Sequence, residues 1–322
     1  MRAIVCKQLG PPDALVVEER DAPEPRAGEV RIVVRAAGVN FVDGLIAAGR
    51  YQLRIEPPYV PGGELAGVID AVGEGVDASW VGRRVMASVG TGAFAEQVTV
   101  RDSDAVLLPD ALDFPRAATF HQSYCTALFA LVHRTTVRAG EQVLVLGAGG
   151  GVGLAAVDVA RSLGARVIAV ASSADKRALA IEMGAAAALD PTTEDVKTRA
   201  RELGAGGVDI VYDPVGGELA EAALRALRFG GRFLVIGFTA GIPRVPLNLV
   251  LLNNRTVVGV EWGGWALRHL EENRALVADV LARIARNELH PVAPEQRPLA
   301  DAGLAVADLL ERRVAGKIAL VP

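Results

Sequence analysis

Cysteine is scarce in this chain: Cys6 and Cys125 are the two among 322 residues. Two thiols supply neither a disulfide framework nor a four-thiolate zinc site. Positive charge is not in excess, since 34 Lys and Arg stand against 38 Asp and Glu. A formal charge of −4 offers no electrostatic footprint for nucleic acid or for an anionic membrane surface. The four histidines, His121, His133, His269 and His290, show no metal-ligand spacing. Gln142 to Val157 runs uncharged for 16 residues, but five of them are glycine. A membrane span needs about 20 predominantly apolar residues. Met1 to Lys7 has no apolar run of signal-peptide length before charge returns. Together these absences argue against nucleic-acid, membrane and disulfide-scaffold functions, and they point to a cytoplasmic protein.

What is present is an ordinary globular composition, 51% hydrophobic and 22% charged, with enough apolar surface to offset chain entropy. At about 150 residues per domain, the length suggests two domains. The middle of the chain alternates strands and helices. Gln142 to Gly147, Arg166 to Ala171, Ala186 to Leu189, Val208 to Asp213, Arg232 to Gly237 and Thr256 to Glu261 read as short strands. Helices over Val152–Leu163, Asp175–Met183, Thr193–Leu203 and Glu218–Leu227 separate the first five. That alternation implies right-handed crossovers and a parallel sheet covered on both faces, a doubly wound α/β domain. The first 120 residues differ. Val30–Ala37, Ala66–Val72, Arg84–Ala87 and Phe94–Val100 read as strands split by Gly, Pro and Asp turns, with no long amphipathic helix between them. Such a pattern predicts an antiparallel, barrel-like β domain. After Trp262 come helices over Leu267–Arg286 and Leu299–Arg312 and a closing strand from Gly316 to Val321. This tail is short for a domain, so it is expected to pack back onto the N-terminal part.

The chemistry-bearing motif is Gly147-Ala-Gly-Gly-Gly-Val-Gly153. Read as Ala148-x-Gly150-x-x-Gly153, it is a dinucleotide fingerprint with alanine at the first glycine, and Gly151 and Val152 lie between. It sits between a strand and a helix, the context such a motif requires; the bland alternative is a glycine-rich turn without a ligand. About twenty residues on, an NAD-preferring site carries an acid for the ribose 2′-hydroxyl. Here the chain reads Ser172-Ser-Ala-Asp-Lys-Arg177. Serines followed by two cations suit a 2′-phosphate and hence NADPH. Equally, Lys176 and Arg177 are solvated charges on a first helical turn, and Asp175 keeps NAD in play.

With these motifs the sequence resembles the zinc-free quinone oxidoreductase branch of the medium-chain dehydrogenase/reductase superfamily. The resemblance spans essentially the whole chain. Its marks are Ala36-Ala-Gly-Val-Asn-Phe-Val-Asp43, Pro61-Gly-Gly-Glu-Leu-Ala-Gly67, Gly147 to Gly153, Asp213-Pro-Val-Gly-Gly217 and Gly316-Lys317 before an apolar strand. It implies an α/β protein in which a Rossmann doubly wound sheet (residues 122–262) is inserted in a GroES-like β-barrel (1–121 plus 263–322), with homodimers usual. Alcohol dehydrogenases of the superfamily place zinc-ligand cysteine and histidine where this chain has Asn40 and Gly63, and of the set only Glu64 survives. Neither Asn nor Gly suits zinc, so no metal ligand is expected. Without a Lewis acid, an activated acceptor such as a quinone or a conjugated enone is easier to reduce than an alcohol is to oxidise.

The resemblance also implies site residues. Asn40 and Asp43 match positions lining the catalytic cleft, and Asn40 would hydrogen-bond a substrate carbonyl; alternatively it is an Asx-type turn partner ending a strand. Tyr51 matches a tyrosine of the same branch and the proton donor of enoyl-thioester reductases, or else is a partly buried tyrosine bonding backbone. Thr126 matches a threonine beside the nicotinamide, or is a helix-start hydroxyl. Lys176 and Arg312 match holders of the 2′-phosphate, and Ser172 belongs with them. Phe238 and Trp262 would wall the nicotinamide pocket, or serve as core or dimer packing. Leu45 replaces a second tyrosine common in quinone oxidoreductases, and Pro191 replaces a tyrosine near the adenosine. Three functions follow. The first is an NADPH-dependent reductase of quinones or similar small carbonyl acceptors; the second is a 2-enoyl-CoA (enoyl thioester) reductase using Tyr51; the third is a crystallin-like NADPH-binding protein with little turnover.

Overall fold

β-Branched and apolar residues dominate the short strands, and turn residues separate them. The computed structural model describes residues 1–52 and 54–322. In chain order its first part holds β1 (Arg2–Cys6), β2 (Leu15–Glu19), β3 (Glu29–Val39), α1 (Phe41–Ala47), β4 (Glu64–Val72), β5 (Arg84–Ser88), β6 (Gln97–Arg101), β7 (Ala105–Leu107) and α2 (Phe114–Leu128). Next come β8 (Gln142–Leu146), α3 (Gly151–Ser162), β9 (Arg166–Val170), α4 (Ala174–Glu182), β10 (Ala187–Leu189), α5 (Val196–Leu203), β11 (Val208–Asp213), α6 (Leu219–Ala226) and β12 (Leu227–Val235). The remainder is α7 (Asn248–Leu251), β13 (Thr256–Gly259), α8 (Trp262–Arg268), α9 (Leu270–Ala285), β14 (Glu295–Pro298), α10 (Ala302–Leu310) and β15 (Ile318–Val321). No helix among the described residues is long and apolar enough to cross a membrane.

The chain forms two compact units: Met1–His121 with Ala293–Pro322, and Gln122–Val292. The first is built on a sheet of order β14-β15-β3-β4-β5-β7, with β6 also pairing β3. β3 alternates buried and half-buried residues along its first half, as a strand with one well-covered face does. It is branched: Glu29–Val33 pairs β6, whereas Ala37–Val39 pairs β15. The core of this unit gathers Ile4, Ile32, Leu65, Ile69, Val85, Phe94 and Ile318. Of the tail, only Ala293–Pro322 returns to it, with β15 in the sheet and α10 against α1, where Gly44 leaves room for Val306 and Leu310.

The second unit carries a six-stranded sheet of order β10-β9-β8-β11-β12-β13 with every pair parallel. β8, β9 and β11 are buried almost throughout, as strands covered on both faces must be. The order reverses at β8, and ligands of such sheets bind beyond the strand ends at that switch point.

Several boundaries differ from the sequence reading. The second division falls at 292/293 rather than 262/263, because α8, α9 and the segment after them pack within the second unit. The Trp265 ring lies 4.6 Å from that of Phe129, and the His290 amide donates to Asp158 at 2.6 Å. The expected single helix from Leu267 is broken at His269, whose φ of −132° is not helical. The strand from Thr256 ends at Gly259 rather than Glu261, and Trp262 opens α8; Glu261 caps it by accepting the Gly264 amide at 2.6 Å. Thr126 sits in the last turn of α2, not at a helix start.

Candidate active site

Strand register assembles the polar centre of the first unit. β3 ends at Val39, so Asn40 leads directly into α1. Gly38 pairs Glu64, the first residue of β4, and Val39 pairs Ile318, the first residue of β15. The residue before β15 is Lys317, and the three strand ends therefore deliver Asn40, Glu64 and Lys317 to one place. Gly38 is required there: a Cβ would come within 2.9 Å of the Glu64 carboxylate and overlap the Ala118 carbonyl.

Asn40, Asp43, Glu64 and Lys317 are 8, 3, 2 and 6% exposed, respectively. Buried charges persist only when partnered, and these are. Lys317 Nζ donates to Glu64 Oε1 at 3.2 Å and to Asn40 Oδ1. Asn40 Nδ2 donates to Glu64 Oε1 at 2.8 Å. The Asn40 amide of the backbone donates to Asp43 Oδ2 at 2.7 Å, which anchors the first turn of α1. Burial, and then the Glu64 charge, push the Asp43 carboxyl up to about 7 against the opposing pull of the Asn40 amide and the Lys317 ammonium. Asn40 and Asp43 are thus brought together, whereas Tyr51 packs in a neighbouring apolar cluster with Cys6, Ile46 and Tyr59. Glu64 and Lys317 complete the centre. Lys317 was legible only as part of a family mark, because its partners lie 277 and 253 residues away. Among the described residues no group of three or more His, Cys, Asp and Glu side chains could hold a metal ion.

The second unit builds its site on the glycine turn. Gly147 has φ +59°, and Gly150, extended at φ −100° and ψ 169°, is the N-cap of α3. Gly153 packs directly on the strand end: a Cβ there would overlap the Gly147 carbonyl oxygen and lie 2.7 Å from Ala148 Cα. Ala148 is fully buried and its amide donates to the Val170 carbonyl at 3.0 Å, tying the turn to β9. The first amides of α3, at Gly151, Val152 and Gly153, point out of the helix end as donors, where the dipole favours an anion. The turn after β11 meets it, since a Cβ on Gly147 would lie 2.8 Å from Val215. Asp213 shapes that second turn by accepting the Val215 and Gly216 amides, each at 2.8 Å. Phe238 packs along it beside Gly216 and is 44% exposed.

Beyond β9, Ser172 is exposed and Ser173 caps α4. The two cations that follow separate in role. Arg177 donates to the Ala171 carbonyl at 3.0 Å and to Asp190 at 2.8 Å. Lys176 instead lies along Gly149 in the glycine turn, within 2.9 Å of where a Cβ would be. Trp262 Nε1 donates to Asn273 at 3.0 Å, which ties α8 to α9. Arg312, the other residue expected at a 2′-phosphate, belongs to the first unit and has φ +58°.

A tail-completed β unit and a six-stranded parallel sheet with this glycine turn define a nucleotide-binding oxidoreductase of the alcohol dehydrogenase type. Two family models agree: "Alcohol dehydrogenase GroES-like domain" matches residues 26–110 and "Zinc-binding dehydrogenase" matches residues 151–281. Quinone oxidoreductase-like protein 2 of Bos taurus is 35% identical across 99% of this chain and 92% of its own. Human quinone oxidoreductase is 33% identical across 93% and 91%. Among solved structures, Escherichia coli quinone oxidoreductase complexed with NADPH superposes with a TM-score of 0.91 at 28% identity, covering 100% of each chain. The quinone oxidoreductase of Thermus thermophilus, also solved with NADPH, gives 0.87 at 36% identity and covers 100% of each. The chain belongs to the quinone oxidoreductase branch of the medium-chain dehydrogenase/reductase superfamily.

Proposed function

We propose that this protein is an NADPH-dependent oxidoreductase that passes hydride to a quinone or a similarly activated carbonyl acceptor and works without a metal ion. The observation that carries the reading is the buried Asn40–Glu64–Lys317 centre. The zinc named by one family model does not fit it. Gly63 brings no donor, the Asn40 amide oxygen is taken by an ammonium, and that same ammonium rests on Glu64, the one member of the zinc-ligand set that survives. NADPH does fit the second unit. The α3 amides and the glycine turn suit a pyrophosphate, and Lys176 beside Gly149 suits a 2′-phosphate, as the NADPH in the solved Escherichia coli and Thermus thermophilus relatives leads one to expect.

When bound, reduced nicotinamide supplies a hydride, and a quinone that takes it together with a proton from water becomes the hydroquinone. The protein's own contribution is orientation and electrostatics. An amide N–H fixed in a buried setting stabilises the negative charge that grows on the acceptor's oxygen, with no reorganisation at the moment of transfer. The sheet edge also fits a homodimer: β13 ends the sheet with one edge unpaired among the described residues, and Leu251, Leu252 and Val257 beside it are 74, 70 and 48% exposed.

The test is steady-state oxidation of NADPH and of NADH with 1,4-benzoquinone, 9,10-phenanthrenequinone and crotonyl-CoA in parallel. Quinone turnover that prefers NADPH and largely survives Tyr51→Phe supports the reading. Turnover of crotonyl-CoA that collapses in Tyr51→Phe would move the assignment to enoyl-thioester reduction. NADPH binding without turnover of any acceptor would leave a binding protein.

A further inference from the structure

We propose that Lys317 is the positioning residue of this centre: it fixes the Asn40 side chain so that the amide offers its acceptor a hydrogen-bond donor and no hydrogen-bond acceptor. The argument rests on the inventory of protons. An ammonium can only donate and a carboxylate can only accept. The atom of Asn40 that meets Lys317 Nζ must therefore be the carbonyl oxygen, and the atom 2.8 Å from Glu64 Oε1 must be the amide nitrogen. The two neighbours together permit one orientation of the amide and forbid its flip. With Oδ1 taken by the ammonium and one N–H taken by Glu64, what remains of Asn40 is a single N–H, which has no partner among the described residues.

The backbone leaves the side chain little choice. Asn40 is held on its own amide by Asp43. Glu64 and Lys317 enter from strands registered against β3 on its two sides. Lys317 is 6% exposed, and its ammonium shares Glu64 with Asn40 in a closed triangle of three bonds. Such an arrangement selects substrate by hydrogen-bond polarity. A group presenting lone pairs, such as a quinone or enone carbonyl, is bonded and polarised. A group that needs an acceptor for its own proton, such as an alcohol, finds none on Asn40. This deepens the proposed function and rests on it for the identity of the acceptor, but the lock on Asn40 is a property of the protein alone.

Two measurements separate these levels. The first needs no turnover: the side-chain amide pair of Asn40 is followed in 15N-labelled protein and assigned by its absence in Asn40→Ala. In the native protein the pair should be two resolved proton signals protected from exchange with water. In Lys317→Met they should move and exchange at least about 10-fold faster, because one of the two hydrogen bonds that hold the amide is gone, and Lys317→Arg should restore them. Because Lys317→Met leaves Glu64 without its cation, the double variant Lys317→Met/Glu64→Gln is measured beside it. That variant buries no unpaired charge and still lacks the ammonium. An Asn40 pair unchanged in both overturns the proposal.

The second measurement is quinone reduction. Removing an aligned donor to a developing oxyanion costs on the order of 100-fold in kcat, so Asn40→Ala should lose about that much. Lys317→Met should lose about 10- to 100-fold in kcat with NADPH affinity unchanged. Adding Lys317→Met to Asn40→Ala should cost nothing further, since the lysine acts through the asparagine. Multiplicative losses overturn the proposal. Should the native protein turn over no quinone, the proposed function fails, and the exchange measurement still decides the lock.

Discussion

Asp43 makes the electrostatics of the first unit measurable in bulk. Its carboxyl sits near 7 in the folded chain and has an ordinary value of 3.8. The folded state therefore keeps a proton there that the unfolded chain releases, and raising the pH between the two values favours unfolding. The contribution is fully present below about pH 4 and lost as pH rises through about 7. At about 1.4 kcal/mol for each tenfold difference in proton affinity, the whole span is worth up to about 4 kcal/mol. Asp43→Asn keeps an oxygen that accepts the Asn40 amide, so at pH 4.5 the variant should lie within about 1 kcal/mol of the native protein. At pH 8 it should be the more stable of the two by a few kcal/mol. His121, whose imidazole burial holds below the usual range, contributes in the opposite sense: its stabilisation is lost as pH falls below about 6.5. It is common to both proteins and cancels in the difference. The assay is urea unfolding followed by circular dichroism from pH 4.5 to 8.5. A difference between native and variant that stays flat across that range would refute the reasoning.

Other expectations follow from single contacts. Gly153→Ala sets a Cβ against the Gly147 carbonyl and the Ala148 backbone, neither of which can move freely. It should cost about 1–3 kcal/mol of stability and weaken NADPH binding at least about 10-fold by fluorescence titration; binding at native strength would contradict the packing role. Lys176→Ala should weaken NADPH by about 10- to 100-fold, the worth of a charge-assisted hydrogen bond, and leave NADH unchanged by calorimetry. Arg177→Ala should leave both nucleotides alone, since that guanidinium serves Asp190 and the Ala171 carbonyl. Asp158, fully buried, accepts from Tyr124 at 2.8 Å, Arg161 at 2.6 Å and the His290 amide at 2.6 Å. Asp158→Ala orphans those donors and should cost about 3–5 kcal/mol. At about 2–4 °C per kcal/mol, scanning calorimetry should show the melting point falling by about 10 °C, and a fall under about 3 °C would contradict the network.

The parallel sheet was plain in the sequence because strands buried on both faces read as short apolar blocks, each ended by glycine or by a polar turn. The glycine turn was plain for a related reason: Gly153 admits no side chain, so its identity is fixed by local sterics. The antiparallel unit was harder. Leu15–Glu19 is mostly half-buried or exposed, and Arg2–Cys6 pairs with it rather than with the main sheet, so neither shows a strong pattern. Phe94 and Ala95 read as strand, yet only β6 from Gln97 joins the ladder, with Ala95 making a single bridge to Ala3. The break at His269 has no glycine or proline to announce it; its imidazole stacks on Trp265, 5.2 Å between centroids, a tertiary contact. α2 went unrecognised as an element, although its Thr126 was noted as a site candidate. Lys317 is the plainest case. Its role exists only through strand pairings that bring both ends of the chain together.

The proposed function requires hydride delivery to a quinone at a site whose fixed cation is the Lys317 ammonium and not a metal. It is tested most directly by measuring NADPH-dependent reduction of 1,4-benzoquinone before and after dialysis against EDTA and 1,10-phenanthroline, with bound metal quantified by mass spectrometry on the same samples. The expected result is turnover unchanged by chelation, with far less than one zinc per chain throughout. Activity that disappears on chelation and returns with stoichiometric zinc would contradict the account.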